Sequence, residues 1–334
     1  MCIFVTKFFS VMMFKIYNSN RKYIDNFSII KKKIAFCLLF SLFFNLIALS
    51  VTREDVYNYI DKYKNAALIE QRNNGIPVSI TLAQGLLESA AGTSRLAREG
   101  NNHFGVKCHR SYRGDSTHIG TTCYRKYRTV HDSYLDHSKF LKGKRYQELF
   151  SLDITDYRGW AHGLKRCGYA TDPLYAEKLI SMIETYRLDL LVDEKPVVRE
   201  EKKHHEQHER RKRQERPVLK HPTKRRNGLN YIMAVLGDNY QDIAQEYNIK
   251  LSKLLDYNDL ASAQEQPQVG DIIYVNKKHS EAQGGHYEYR VESDSESLWY
   301  ISQLYGVRLK DLAKLNNLKP DATLHKGDII KLKR

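Results

Sequence analysis

The last third of the chain repeats itself. The stretch IAQEYNIKLSKLLDYNDL (243–260) aligns without a gap on ISQLYGVRLKDLAKLNNL (301–318) at an offset of 58. Tyr247 pairs with Tyr305, Leu251 with Leu309, Leu254 with Leu312 and Asn258 with Asn316. Each copy closes on Gly-Asp-Ile-Ile, at Gly270–Ile273 and Gly327–Ile330, and opens on a strand-like run, around Tyr231–Leu236 and Tyr287–Glu292. A short unit in tandem constrains architecture more than any composition does. A helical period in its middle and alternation at its ends predict β-α-α-β, folded twice, with the repeated Leu and Ile as core.

Ahead of the repeats the chain changes character. Residues 31–50, KKKIAFCLLFSLFFNLIALS, place a basic cluster before an apolar run from Ile34 to Ser50. That run is short for a membrane span, which needs roughly 20 residues. Ala48 and Ser50 supply a small-x-small cleavage pattern, so a secretory signal cut after Ser50 is expected, with an uncleaved anchor as the alternative and Met13 as an alternative start. Export leaves Cys108, Cys123 and Cys167. In an oxidising compartment Cys108 and Cys123 are expected to bridge a short loop, leaving Cys167 as a small core residue. No Cys-x-x-Cys or His-x-x-x-His pair accompanies these cysteines, so neither a metal nor another cofactor is expected.

From Lys195 to Arg226 thirteen Lys or Arg stand against five Glu, with almost no apolar residues. Such a block cannot bury enough surface to fold alone, and residues 193–228 are read as a basic linker. Its four histidines, His204, His205, His208 and His221, read as solvated rather than metal-binding. The formal charge of +15 favours an acidic partner. Nucleic acid is disfavoured because no aromatics interleave with the basic residues, which leaves anionic lipid or wall polymers.

Residues 53–190 are mostly helical. REDVYNYIDKYKNAALIEQRN is amphipathic and stops before Asn74-Gly75. In SITLAQGLLESAAGTSRLAREGNNHFGVKCH (79–109), Leu82, Ala83, Leu86, Leu87 and Ala90 recur at helical spacing, with Pro77 and Ser79 as start signals and Gly92 as a stop. HDSYLDHSKFLKGKRYQELF and DPLYAEKLISMIETYRL are helical as well. Between His103 and Thr129, Gly, Thr and Tyr mark a small β-hairpin lobe. One carboxylate, Glu88, sits near the end of an otherwise apolar helix, where burial would raise its pKa.

The repeats resemble the LysM module, a wall-binding domain for N-acetylglucosamine-containing glycans. The resemblance covers nearly all of residues 230–333 and implies a first module at 229–277, a linker at 278–285 and a second module at 286–334. Sugar is then expected between Gly237–Tyr240 and Leu260–Ala263, and between Ser293–Leu298 and Leu318–Asp321. Asp238, Asn239, Asp294 and Ser295 are the implied contacts. GDNYQDIA makes the first copy's loop depart from the pattern.

A wall-glycan substrate gives the Glu88 segment its meaning. LLESAAGTSRLA, NNHFGVKC and GYATDPLYAEKL, in that order, resemble the endo-β-N-acetylglucosaminidase family of wall hydrolases. This resemblance spans about residues 53–190. It implies an α+β, lysozyme-like, mostly helical catalytic domain with a small hairpin lobe (51–192), followed by the two βααβ modules. Cleaving a β-1,4 bond requires protonation of a poor leaving oxygen, and Glu88 matches the family's catalytic acid. Tyr169 matches a Tyr across the cleft that stabilises the developing charge or orients the sugar, or else packs as a core aromatic. Asn102, Phe104 and Gly105 match an element shaping the groove floor, although Phe104 also reads as core. Asp172 and Pro173 cap the helix that follows. Related enzymes carry a Glu on the hairpin, where this chain has Thr121 and Thr122 before Cys123. Asp115 is the lobe's acid, and the substrate's own 2-acetamido oxygen is the alternative partner.

The expectation is an exported, envelope-associated, monomeric peptidoglycan hydrolase. A lytic transglycosylase is the enzymatic rival, although NNHFGVKC stands where its Gly-Leu-Met-Gln element would follow. A non-catalytic wall-binding scaffold is the rival from another class.

Overall fold

The computed structural model describes residues 51–196, 220–263 and 266–334. The expected signal and most of the basic stretch, with His204, His205 and His208, lie outside the described residues. From Val51 on, the chain forms one compact unit.

Helix α1 (Arg53–Asn74) starts at a capping box, in which the Thr52 hydroxyl accepts from the Asp55 N–H and Asp55 accepts from the Thr52 N–H. This satisfies backbone donors that a helix start leaves unpaired. The helix stops at Gly75, whose φ of +69° suits glycine. Helix α2 (Val78–Ser89) is buried along nearly its whole length. A helix apolar all round belongs inside a domain, and α1, α5, α6 and a short 3-10 turn at Leu188–Leu191 pack around it. Here α5 is Tyr157–Arg166 and α6 is Tyr175–Thr185. Between α2 and α5 come α3 (Arg95–Gly100), a hairpin of β1 (Ser116–Ile119) and β2 (Thr122–Arg125), α4 (Val130–Leu141) and a 3-10 helix (Lys144–Ser151).

Two departures from the expected helices have local causes. HDSYLDHSKFLKGKRYQELF is not one helix, because the chain turns at Gly143 between α4 and the 3-10 segment. The segment YRGWAHGLKR forms α5, where its glycines mark close packing. A Cβ at Gly163 would collide with the Leu149 side chain. Cys167 is free and half-buried, with its Sγ 3.5 Å from a Glu148 oxygen.

The first repeat holds β3 (Lys224–Arg226), β4 (Leu229–Met233), α7 (Tyr240–Glu246), α8 (Leu251–Tyr257) and β5 (Ile272–Tyr274), with the sheet ordered β3-β4-β5. The second holds β6 (Glu288–Arg290), α9 (Leu298–Tyr305), α10 (Leu309–Leu315) and β7 (Ile329–Lys331), with β6 antiparallel to β7. Strand β3 comes from the end of the segment read as linker, so the fold begins before residue 228. His221 is buried rather than solvated, because both its ring nitrogens pair with carboxylates, Asp238 at 2.9 Å and Glu246 at 2.8 Å.

The matched asparagines explain themselves. Asn258 donates to the Tyr274 carbonyl at 2.9 Å and accepts from the Tyr274 N–H at 2.8 Å. Asn316 does the same with Lys331, at 2.8 and 2.7 Å. Each fastens its module's last strand to the end of its second helix. The modules are also fastened to each other. Trp299 donates to the Asn258 carbonyl, Tyr274 donates to the Gln303 carbonyl, and buried Lys278 reaches Asp259 at 2.6 Å and Ser302 at 3.0 Å.

Candidate active site

Helix α2 ends in an unusual turn. Ala90, Ala91 and Gly92 have φ of +49°, +52° and +79° in succession. The left-handed conformation costs a non-glycine residue roughly 1–2 kcal/mol, so two consecutive alanines there need fixed support. The Ala91 N–H donates to Leu86 O at 2.9 Å, the Gly92 N–H to the Ser89 hydroxyl at 2.7 Å and the Ser94 N–H to Ser89 O at 2.9 Å. Small side chains are what such a turn tolerates. Backbone strain of this kind clusters at functional positions, and Glu88 stands at the edge of this turn.

Glu88 is accessible to solvent on one side, while protein packed around the rest of its carboxyl removes enough water to raise its pKa above the usual carboxylate value. One hydrogen bond opposes the shift. Tyr175 donates to Glu88 Oε1 at 3.2 Å and accepts from Gln84 Nε2 at 3.0 Å. Gln84 lies one helical turn before Glu88 on α2, and its amide occupies the phenol oxygen so that the phenol proton points at the carboxyl. Tyr169 stacks on Tyr175, with ring centroids 5.5 Å apart and planes 26° apart, and feels the charge of Glu88. Exposed Phe140 meets the edge of Tyr169 at 6.1 Å. The arrangement is a carboxyl that stays protonated to higher pH than usual, flanked by an aromatic wall. That combination suits proton donation to a sugar leaving group.

Behind the turn, Tyr59 links to His103 Nδ1 at 2.9 Å and to the Tyr134 hydroxyl at 3.0 Å. A Cβ at Gly85 would fall 2.6 Å from the Tyr59 oxygen, so α2 sits directly on this polar cluster. Burial lowers the His103 pKa to about 4 and that of His137 to about 3, leaving both neutral.

The other expected residues separate into two groups. Asn102 is buried with its amide committed to backbone, donating to Val106 O and Arg125 O and accepting from the Val106 N–H. Phe104 is 5% exposed and stacked on His137 with ring centroids 3.9 Å apart. These two hold the hairpin lobe to the helices and are not open to ligand, which corrects the expected sugar contacts. Gly105 takes φ of +60°, and a Cβ placed there would meet no atom within 4 Å. Asp115 is exposed just before β1, its carbonyl accepting from the Lys126 N–H at 2.7 Å. Cys108 and Cys123 form a disulfide that ties the loop after Phe104 to β2. Asp172 accepts from the Leu174 N–H and pairs with Lys178 at 2.7 Å, at the start of α6.

In the repeats, Asp238 is buried in an ion network and Asn239 caps α7 by accepting from the Asp242 N–H at 2.8 Å. Asp238 therefore has no face left for sugar. Asp294 and Ser295 are exposed, with Asp294 accepting from the Lys326 N–H at 2.7 Å. Sequence reasoning missed Gln84 and Tyr175. The spacing of four between Gln84 and Glu88 on one helix was the available signal for the first, and the Tyr inside DPLYAEKL for the second.

Residues 64–188 match the family described as mannosyl-glycoprotein endo-beta-N-acetylglucosaminidase, and residues 235–276 and 289–333 each match the LysM domain. Among curated relatives, exo-glucosaminidase LytG of Bacillus subtilis is 33% identical over 149 residues, covering 39% of this chain and 51% of that protein. Peptidoglycan hydrolase FlgJ of Vibrio parahaemolyticus is 28% identical over 140 residues, covering 37% and 46%. The chain thus spans about half the length of these relatives. Among solved structures, the glycoside hydrolase domain of Salmonella typhimurium FlgJ is 26% identical, covers 48% of this chain and 98% of that one, and superposes with a TM-score of 0.37.

Proposed function

We propose that this chain, a glucosaminidase domain followed by two LysM domains, hydrolyses the β-1,4 bond after N-acetylglucosamine in peptidoglycan and is held to its substrate by its carboxy-terminal modules. The observation that carries the reading is Glu88 itself. It is a partly desolvated carboxyl, open to solvent on its cleft side, at the end of a buried helix, with one neutral hydrogen-bond donor and an aromatic wall beside it. Glu88 gives its proton to the bridging oxygen as the bond from that oxygen to the anomeric carbon breaks. Tyr169 faces the positive charge that develops on the sugar. Water supplies the hydroxyl at the anomeric carbon, and its proton goes to the Glu88 carboxylate on a retaining route or to the base on the opposite face on an inverting one.

Two groups compete to serve the opposite face of the sugar, Asp115 on the hairpin lobe and the substrate's 2-acetamido oxygen. Both fit a lobe whose β2 carries Thr122 and Cys123 rather than an acid. Product stereochemistry by NMR together with Asp115→Asn separates them. Retention with an active Asp115→Asn variant selects the acetamido oxygen. Inversion with an inactive variant selects Asp115. Export is proposed from the apolar run ending at Ser50, and the basic stretch adds attraction to anionic wall polymers.

The test is digestion of purified sacculi by the wild type and by Glu88→Gln. Reducing N-acetylglucosamine ends that vanish in the variant support the proposal. Anhydro-muramic ends would mean a lytic transglycosylase. Release of single sugars from chain termini would mean exo rather than endo cutting. No product from folded, wall-bound wild type would mean a scaffold.

A further inference from the structure

The two LysM modules share a sequence pattern but not a surface. In the second, the end of the module formed by Arg290, Val291 and Glu292 from β6 onward, with Lys326 and Gly327 before β7, borders an open concavity of about 470 Å³. The loop that follows, Ser293–Ser295, is exposed. The backbone there is tied by Gly327 N–H to Val291 O and Val291 N–H to Asp328 O. The same pair of bonds joins Gly270 to Ala234 and Ala234 to Asp271 in the first module. Gly270 and Val235 are thus the counterparts of Gly327 and Glu292.

At those counterparts the first module is covered. Val235 is 1% exposed and belongs to the hydrophobic core of the glucosaminidase domain, with Leu236 and Val269 packed against it. A Cβ at Gly270 would run into the Lys178 side chain of α6, whereas nothing lies within 4 Å of the same position at Gly327. A Cβ at Gly237 would lie 2.8 Å from the Arg53 backbone nitrogen. Polar contacts close the seam. Arg53 pairs with Asp238 at 2.9 Å, Lys224 with Glu177 at 2.9 Å, and the Tyr186 hydroxyl donates to the Leu236 carbonyl. The substitutions fit the environments, with Val235 against an apolar core where Glu292 faces water, and Val269 where Lys326 does.

We propose that the first LysM module is an intramolecular docking module in which the glucosaminidase domain covers the loop after its first strand, one wall of the expected sugar groove, while the opposite wall at 260–263 stays open, so that N-acetylglucosamine oligomers bind among the modules only at the second. This rests on the carbohydrate reading of the LysM modules above. The first module's end is taken up by burial against the catalytic domain, which leaves the second module as the wall contact.

Hydrogen exchange with mass spectrometry on the full chain carrying Glu88→Gln, with and without saturating N-acetylglucosamine tetramer, tests both halves. Without sugar, peptides over 234–240 exchange slowly and those over 292–297 exchange fast. Fast exchange in both overturns the docking. Arg53→Ala raises exchange at 234–240 at least tenfold while leaving 292–297 unchanged. An unchanged rate at 234–240 also counts against the docking. With tetramer, new protection at 292–297 and 318–323 alone supports the proposal. New protection at 260–263 in the parent chain overturns it while sparing the carbohydrate reading. Protection in neither module overturns the carbohydrate reading itself, and the assignment to the second module with it.

Discussion

Tyr175→Phe isolates the one contact that works against the raised pKa of Glu88. The phenol donates to Glu88 Oε1 at 3.2 Å and so favours the ionised carboxylate, whereas desolvation favours the protonated form. Deleting the hydroxyl leaves desolvation unopposed, and the pKa rises further. A hydrogen bond to a charged group contributes about 1.5–3 kcal/mol. This one is long, and Glu88 is wet on its cleft side, so about 1 kcal/mol is the appropriate figure. Without it the carboxyl's pKa moves further in the direction that desolvation already sets.

The alkaline limb of the kcat/KM profile reports the general acid of the free enzyme. For Tyr175→Phe it should move to higher pH, with activity retained at a pH where the parent has lost its proton. The assay is the initial rate of reducing-end release from sacculi across pH, with circular dichroism at each pH to exclude unfolding. Gln84 loses its acceptor in this variant and is fully buried, so a stability loss of about 1–3 kcal/mol accompanies the shift. A limb that stays put or moves down in a folded variant would refute the assignment of Glu88 as the titrating acid.

Three further outcomes follow from the same geometry. His221, held between Asp238 and Glu246, has its pKa raised to about 9. A raised folded-state value means stabilisation that is whole below pH about 6.5 and fades as pH climbs through about 9, worth about 3 kcal/mol. Urea unfolding from pH 6.5 to 10 should show that loss, and His221→Gln should flatten it. His103 and His137 shift the other way, to about 4 and about 3. Their neutral forms are needed for folding, so stability falls as pH drops below about 6.5. His137 nitrogens have no hydrogen-bond partner among the described residues, and His137→Phe should keep neutral-pH stability while losing less on acidification. Reducing the Cys108–Cys123 bond, which spans a sequence separation of 15, should cost the hairpin lobe about 3 kcal/mol. Exchange confined to residues 108–126 after reduction would show it, with α2 unaffected.

What could be read from the sequence was whatever local chemistry determines. The apolar period of α2 placed Glu88 on a buried helix, and the repeat placed both βααβ modules. The missed parts depend on contacts between distant segments. Tyr175 stands 87 positions from Glu88 and acquires its role by meeting it across the fold. The resemblance of NNHFGVKC to a family element implied Asn102 on the groove floor, yet its amide is consumed by Val106 and Arg125. Asp238 and Asp294 look alike in sequence as loop acids. Arg53 and His221 bury the first, and no pattern within the module announces them.

The docked module bears on how the wall contact helps catalysis. A wall-binding module on a free tether acts through effective concentration alone. Burial of Val235, Leu236 and Val269 and the Arg53–Asp238 pair hold the first module on the catalytic domain, and the second module inherits the fixed position through Trp299, Tyr274 and Lys278. On the proposed reading, a sugar contact at the second module sets where along a strand the Glu88 cleft reaches, so substrate length should govern the rate on soluble glycan. A tethered but undocked module would show no such dependence.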